Sequence, residues 1–193
     1  ILGVLTQETE LGKNLGTGNY QADMHPSRDK PLFLAITRGL GLDPNAMPVS
    51  KKPSYGWGGA MGPGQFIPST WACYGGWINT RTQDCNNSQR TLTWDDYWSG
   101  PWIYSQAQDR LRALTGKASP SNPWNNQDAF LATAVLMQDN GAAAGTRASE
   151  RLAAQRYFAG WANANNPAYS FYGDGVMGHA DYYQRQIDIL KGL

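Results

Sequence analysis

Hydrophobic positions recur at helical spacing wherever the pattern along the chain is clear. Residues 1–15 predict one helical stretch, stopped by Gly16 and Gly18. A second, short helix is predicted from Pro31 to about Leu40, ending at Gly39 and Gly41. Residues 45–68 are rich in Pro and Gly and read as loop. Pro68 suits the first turn of a short helix through Trp71 to Tyr74, with Gly75-Gly76 as its stop. A polar, irregular stretch over 78–92 follows, then one or two helices between Trp94 and about Leu114, stopped by Gly116. Asn125-Asn126 can cap a helix over Asp128–Asn140 that ends at Gly141. Another is predicted from about Ala148 to Phe158, ending at Gly160. After a loop at 161–175, Val176 to Leu190 forms a last helix with Ala180, Tyr183, Ile187 and Leu190 on one stripe. No long alternating run argues for a strong sheet, and there is no internal repeat. The expected fold is all-α, or α with a minimal β element, in a single domain of 193 residues.

The first helix separates two of the three glutamates. At 100° per residue, Ile1, Val4, Leu5 and Leu11 place the apolar face near roughly 75° on the wheel. Glu8 falls at roughly 80°, within that face, and Glu10 at roughly 280°, on the polar side with Lys13 and Thr6. A carboxylate on a buried stripe costs free energy unless it is paired or protonated. Burial raises its pKa, as a general acid working near neutral pH requires. The residues leave two readings open for Glu8: a general acid, or a buried salt bridge to a cation such as Arg38. Glu10 reads as a solvated surface charge.

Composition narrows the partner class. The chain has 16 Lys+Arg against 15 Asp+Glu, a net charge of +1, so no electrostatic footprint for nucleic acid is present. Charged residues make up 16%, against about 25% in an average globular protein. Gly, Pro, Trp, Tyr, Asn and Gln take their place. A surface rich in aromatics and amides suits a neutral polar ligand, polysaccharide above all. No run approaches the 18 or so apolar residues of a membrane helix. No secretory signal is visible, and Ile1-Leu2-Gly3-Val4-Leu5 reads as a helix cut open, so the chain is expected to be a fragment of a longer protein. Cys73 and Cys85 are the two cysteines, with His25 and His179 far away in sequence, so a metal site is not expected. The pair reads as a disulfide closing a surface loop in an oxidising, extracytoplasmic setting, with two unrelated buried thiols as the alternative.

Between Gly56 and Pro68 stand five glycines and two prolines. Such a loop lets backbone approach a ligand closely while Pro fixes its path. Gln65 and free backbone amides supply neutral hydrogen bonds, and Met61, Trp57 and Phe66 supply apolar faces. Stacking on sugar is also considered for Trp71, against core packing for both tryptophans. No phosphate-loop Lys-Ser/Thr follows the glycines, which argues against a nucleotide site.

Glu8-Thr9-Glu10-Leu11-Gly12 followed by Gly59-Ala60-Met61-Gly62-Pro63-Gly64-Gln65-Phe66-Ile67-Pro68-Ser69-Thr70-Trp71 resembles the lytic murein transglycosylases, most closely those of the membrane-bound lytic transglycosylase B type. That type has Glu-Thr-x-x-Gly and Gly-Ala-Met-Gly-x-x-Gln-Phe-Met-Pro-Ser motifs. Asn122-Pro123-Trp124-Asn125 is similar to the family's Asn-Pro-Trp-Asp segment, and Arg156-Tyr157-Phe158-Ala159-Gly160 to its Tyr-Asn-x-Gly segment. The likeness spans residues 1 to about 185. It implies a lysozyme-like, soluble lytic transglycosylase-like single domain over 1–193, with peptidoglycan glycan strands as partner, no cofactor and a monomeric state. It makes Glu8 the acid/base and puts Gln65, Met61 and Tyr157 in the glycan groove. Two departures stand out. Phe158 takes the place of the family's Asn, and the segment 75–121, with Cys85, has no family counterpart. The Asp-rich calcium loop of some relatives is absent, so no metal is expected.

The resemblance implies cleavage of the β-1,4 bond between N-acetylmuramic acid and N-acetylglucosamine without water, leaving 1,6-anhydro ends. Hydrolysis by a lysozyme-like route normally needs a second carboxylate. Asp174 is the first aspartate to consider, although Tyr172-Gly173-Asp174-Gly175 reads as a turn. A non-catalytic glycan-binding module of the envelope is the third possibility, disfavoured by the desolvation cost of Glu8.

Overall fold

The computed structural model describes residues 1–54 and 56–192. About half of the chain is helical, with a small two-stranded sheet. In chain order come α1 (Leu2–Thr9), α2 (Tyr20–Asp23), α3 (Lys30–Gly39) and α4 (Pro68–Gly75). Next are β1 (Gly76–Asn79), α5 (Trp94–Trp98), β2 (Trp102–Asp109) and α6 (Arg110–Thr115). The last helices are α7 (Asn126–Asp139), α8 (Arg147–Ala159) and α9 (Ser170–Lys191), with 3-10 turns at Ala142–Ala144 and Pro167–Tyr169. Two compact units result: Ile1–Asn14 with Phe130–Leu193, and Leu15–Ala129. None of the helices, over the described residues, is long and apolar enough to cross a membrane.

In the first unit, α1 and α8 both pack on α9. Glycine makes the approach possible. A Cβ on Gly3 would lie 2.4 Å from the Val176 carbonyl oxygen, and one on Gly175 would lie 2.8 Å from Gln7 Oε1. Val4, Met137, Ala153, Ala154, Tyr172 and Val176 form the core of this unit. The expected loop at 161–175 is therefore shorter than its glycines suggest. Helix α9 begins at Ser170 and runs through Gly173 and Gly175, so Asp174 is a helical residue and not part of a turn. The low helix propensity of these glycines is offset by the packing that their missing side chains allow.

Helix α1 also departs from expectation. Glu10 (φ 52°) and Leu11 (φ 62°) are left-handed, and the Glu10 and Leu11 N–H groups donate to the Thr6 and Leu5 carbonyls. This C-terminal hydrogen-bond pattern closes the helix at Thr9, well before Gly16.

In the second unit, Leu32, Phe33 and Ile36 of α3 are fully buried, as is Trp71 of α4. Pro68 opens α4 and Gly76, at φ 74°, closes it. The chain then turns straight into β1, which pairs antiparallel with β2: Trp77 with Tyr104, Ile78 with Ile103, Asn79 with Trp102. The one or two helices expected between Trp94 and about Leu114 are present as α5 and α6, and β2 is an unexpected strand between them. Its middle residues are largely exposed, so it carries no alternating signature, and β1 is the partner of its first three residues. Cys73 and Cys85 form a disulfide that ties α4 to the loop beyond β1.

Candidate active site

Glu8 stands on the last turn of α1, one turn from the fully buried Val4 and Leu5. Its carboxyl oxygen Oε1 accepts a hydrogen bond from the phenol of Tyr172 on α9. Among the described residues Glu8 has no ion pair, so a phenol rather than Arg38 or another cation answers the buried carboxyl. Burial pushes the Glu8 pKa from its ordinary 4.5 up to about 7, while the Tyr172 hydrogen bond pulls the other way. Burial also lifts the Tyr172 phenol well above its ordinary value, and the neighbouring Glu8 charge lifts it further. Tyr172 therefore keeps its proton and remains the donor.

Glu8 is one of the residues lining a cavity of about 350 Å³, with Thr6, Gln7, Thr9, Glu10, Asn14 and His179. Every lining residue is polar, which suits hydroxyl and amide groups of a neutral ligand. Glu10, whose backbone is left-handed, also borders this cavity and stays exposed, as expected of a solvated surface charge. A slightly larger cavity of the same unit, about 370 Å³, is lined mostly by Ala, Met and Val side chains. Its one ionisable side chain, Glu150, is paired with Arg147 at 3.4 Å. That cavity offers no acid–base group comparable to Glu8.

Tyr157 of α8 joins the same neighbourhood. Its hydroxyl is 3.3 Å from Thr133 Oγ1, and it lies near enough to Tyr172 to influence that phenol's ionisation. Phe158 stacks on the Tyr172 ring, centroids 4.8 Å apart and planes 17° from parallel. Asp174 points elsewhere: its exposed carboxylate is bound by Arg151 at 2.6 Å, which holds it below the usual range. Among the described residues no three His, Cys, Asp or Glu side chains gather as metal ligands would.

The glycine-rich loop lies in the second unit, and its glycines serve packing. A Cβ on Gly62 would fall 1.8 Å from the Pro123 carbonyl oxygen, one on Gly59 2.2 Å from Met24 Cγ, and one on Gly58 2.5 Å from the Lys51 backbone. The close approach expected for a ligand is, at these three positions, an approach of the chain to itself. Met61 and Phe66, expected to offer apolar faces, are 0% and 2% exposed and pair with each other through a β-bridge. Trp71 is likewise fully buried. Gln65 is left-handed (φ 49°), and its Nε2 donates to the Gly62 carbonyl at 2.9 Å, bracing the turn. Trp57 keeps 41% of its surface, with Lys52 Nζ 3.7 Å over its ring and His25 tilted against it.

Tyr172, His179 and Glu10 were not legible as site residues. For Tyr172 a signal exists. Extending the stripe Val176, Ala180, Tyr183, Ile187, Leu190 back by four positions, across the glycines, reaches it. Compared with protein-family models, curated proteins and solved structures, the chain finds no match.

Proposed function

We propose that this chain is a lytic transglycosylase of peptidoglycan, with Glu8 as its single acid/base. The observation that carries the reading is a carboxyl in a polar cavity, held near pKa 7 by burial with a phenol as its partner. Such a group donates and accepts a proton near neutral pH. Protonated Glu8 gives its proton to the glycosidic oxygen as the bond to the muramyl anomeric carbon breaks. The muramyl N-acetyl oxygen stabilises the positive centre. Carboxylate Glu8 then takes the proton of the 6-hydroxyl, whose oxygen bonds the anomeric carbon, and Glu8 is again protonated. No water is consumed, and tethering of the nucleophile to the reacting ring supplies the proximity.

The motifs around Glu8 and Gln65 support the substrate class, as does the charge-poor, amide-rich composition. Gln65 and Tyr157 enter the reading as glycan contacts through the resemblance, and Trp57 through its exposed apolar ring. The Cys73–Cys85 disulfide supports an extracytoplasmic location. A lysozyme-like fold and a monomer are part of the same proposal.

Mass analysis of the muropeptides released from purified sacculi tests it. The expected products end in 1,6-anhydro-N-acetylmuramic acid and carry no new reducing ends. Reducing-end products would mean that water is the nucleophile. Glu10 favours that second reading, because it is the other carboxylate in the cavity lining, whereas Asp174 is engaged by Arg151. Under hydrolysis, Glu10→Gln would abolish the reducing ends and Asp174→Asn would not.

A further inference from the structure

We propose that the aromatic cluster of the exposed Phe158 and Phe171 with the half-buried Tyr169 is a stacking platform for a chain of N-acetylated sugars. It would carry rings beyond the one at Glu8, and so rests on the reading of Glu8 given above. Phe158 and Phe171 leave 42% and 57% of their surfaces in solvent, although they meet edge to face at 5.6 Å. Phe158 meets Tyr169 in the same way at 5.8 Å. Clustered apolar rings left open on a surface mark a binding site more often than isolated ones do.

Three observations fix the occupant. First, the cluster is continuous with the candidate site, since Phe158 stacks on the ring whose hydroxyl holds Glu8. Phe158 is thus one buried ring removed from the acid. Second, there is no charged residue between Arg156 and Asp174, and Arg156 is engaged by the Trp161 ring and the Asn140 carbonyl, so this segment offers no free basic group for lipid head groups or phosphates. Third, Asn163, Asn165 and Asn166 are exposed in the same segment; Asn163 Nδ2 donates to the Ala159 carbonyl and Asn166 Oδ1 accepts from the Ala168 N–H, and the remaining amide atoms can meet hydroxyl and acetamido groups. Trp161, also in this segment, is held rigid while 61% exposed: its Nε1 donates to Asn140 Oδ1, and Arg156 covers the ring at 3.7 Å. Rings with one face anchored and another open lose little freedom when a pyranose settles on them. The platform also answers the Phe158 departure: a polar contact is replaced by a stacking one.

The test is calorimetric titration of the chain with the N-acetylglucosamine hexamer. Phe171→Ala should weaken binding about three- to tenfold with an unchanged melting temperature, and Phe171→Trp should restore it. Absent hexamer binding in the wild type, equal affinity in Phe171→Ala, or failure of Phe171→Trp to restore it overturns the platform. So does self-association in sedimentation that Phe171→Ala abolishes, which would make the cluster a contact between copies. Failure of the catalytic reading looks different. It gives no anhydro products from sacculi while hexamer binding still depends on Phe171.

Discussion

Tyr172 and Glu8, 164 positions apart in the chain, share a hydrogen bond in which the phenol donates and the carboxyl accepts. Two influences meet at Glu8. Removal from water favours the neutral acid, and the phenol favours the carboxylate. The balance at about 7 leaves both protonation states accessible near neutral pH. A cation in place of Tyr172 would fix the carboxylate and end its use as an acid.

Glu8→Gln should lower activity by orders of magnitude and leave the fold intact. It should also change the pH dependence of stability. The folded-state pKa lies above the unfolded one, so the stabilisation from protonated Glu8 is fully present below the ordinary 4.5 and lost as pH rises to about 7. Urea titrations between pH 4 and pH 8 should show the wild type losing on the order of 3 kcal/mol relative to the variant. Parallel pH profiles for the two proteins would refute the buried carboxyl.

Tyr172→Phe keeps the ring that Phe158 stacks on and removes the donor. Without it the Glu8 pKa should rise further, and the pH at which activity declines should move upward. The lost hydrogen bond should destabilise the protein by about 1 kcal/mol. A pH–rate profile checks the direction; a shift to lower pH contradicts the assigned donor.

Two glycines should behave in opposite ways on substitution by alanine. Gly62 has φ +63° and the Pro123 carbonyl in the place of a Cβ, so Gly62→Ala should cost roughly 3 kcal/mol or more. Gly178 lies within α9 with open space around its Cβ position, so Gly178→Ala should stabilise by about 0.5–1 kcal/mol. Thermal denaturation of both variants measures the contrast.

Reduction of the Cys73–Cys85 bond, whose cysteines are 12 positions apart, should lower stability by about 3 kcal/mol through the freed unfolded chain. Denaturation with and without reductant gives the difference. Intact mass after alkylation should show no free thiol before reduction.

What the sequence determined by itself is what neighbouring residues control. The limits of α3, α4, α7 and α8 lie close to their Pro, Asn and Gly punctuation, because capping acts within a turn. The burial of Glu8 follows from Val4 and Leu5, four and three positions away, and needs only the helical period. The tertiary structure decided whatever depends on distant partners. Strand β2 begins where β1 pairs with Trp102–Tyr104, and Gly173 and Gly175 of α9 are helical where α8 and α1 pack closely. Gly58, Gly59 and Gly62 look like ligand-binding positions until Lys51, Met24 and Pro123 fill the space beside them. Helix α1 stops at Thr9 because backbone bonds close it there, which the helical wheel does not contain. The partner of Glu8 is set by desolvation and a hydrogen bond across the fold, and local periodicity carries no information about either.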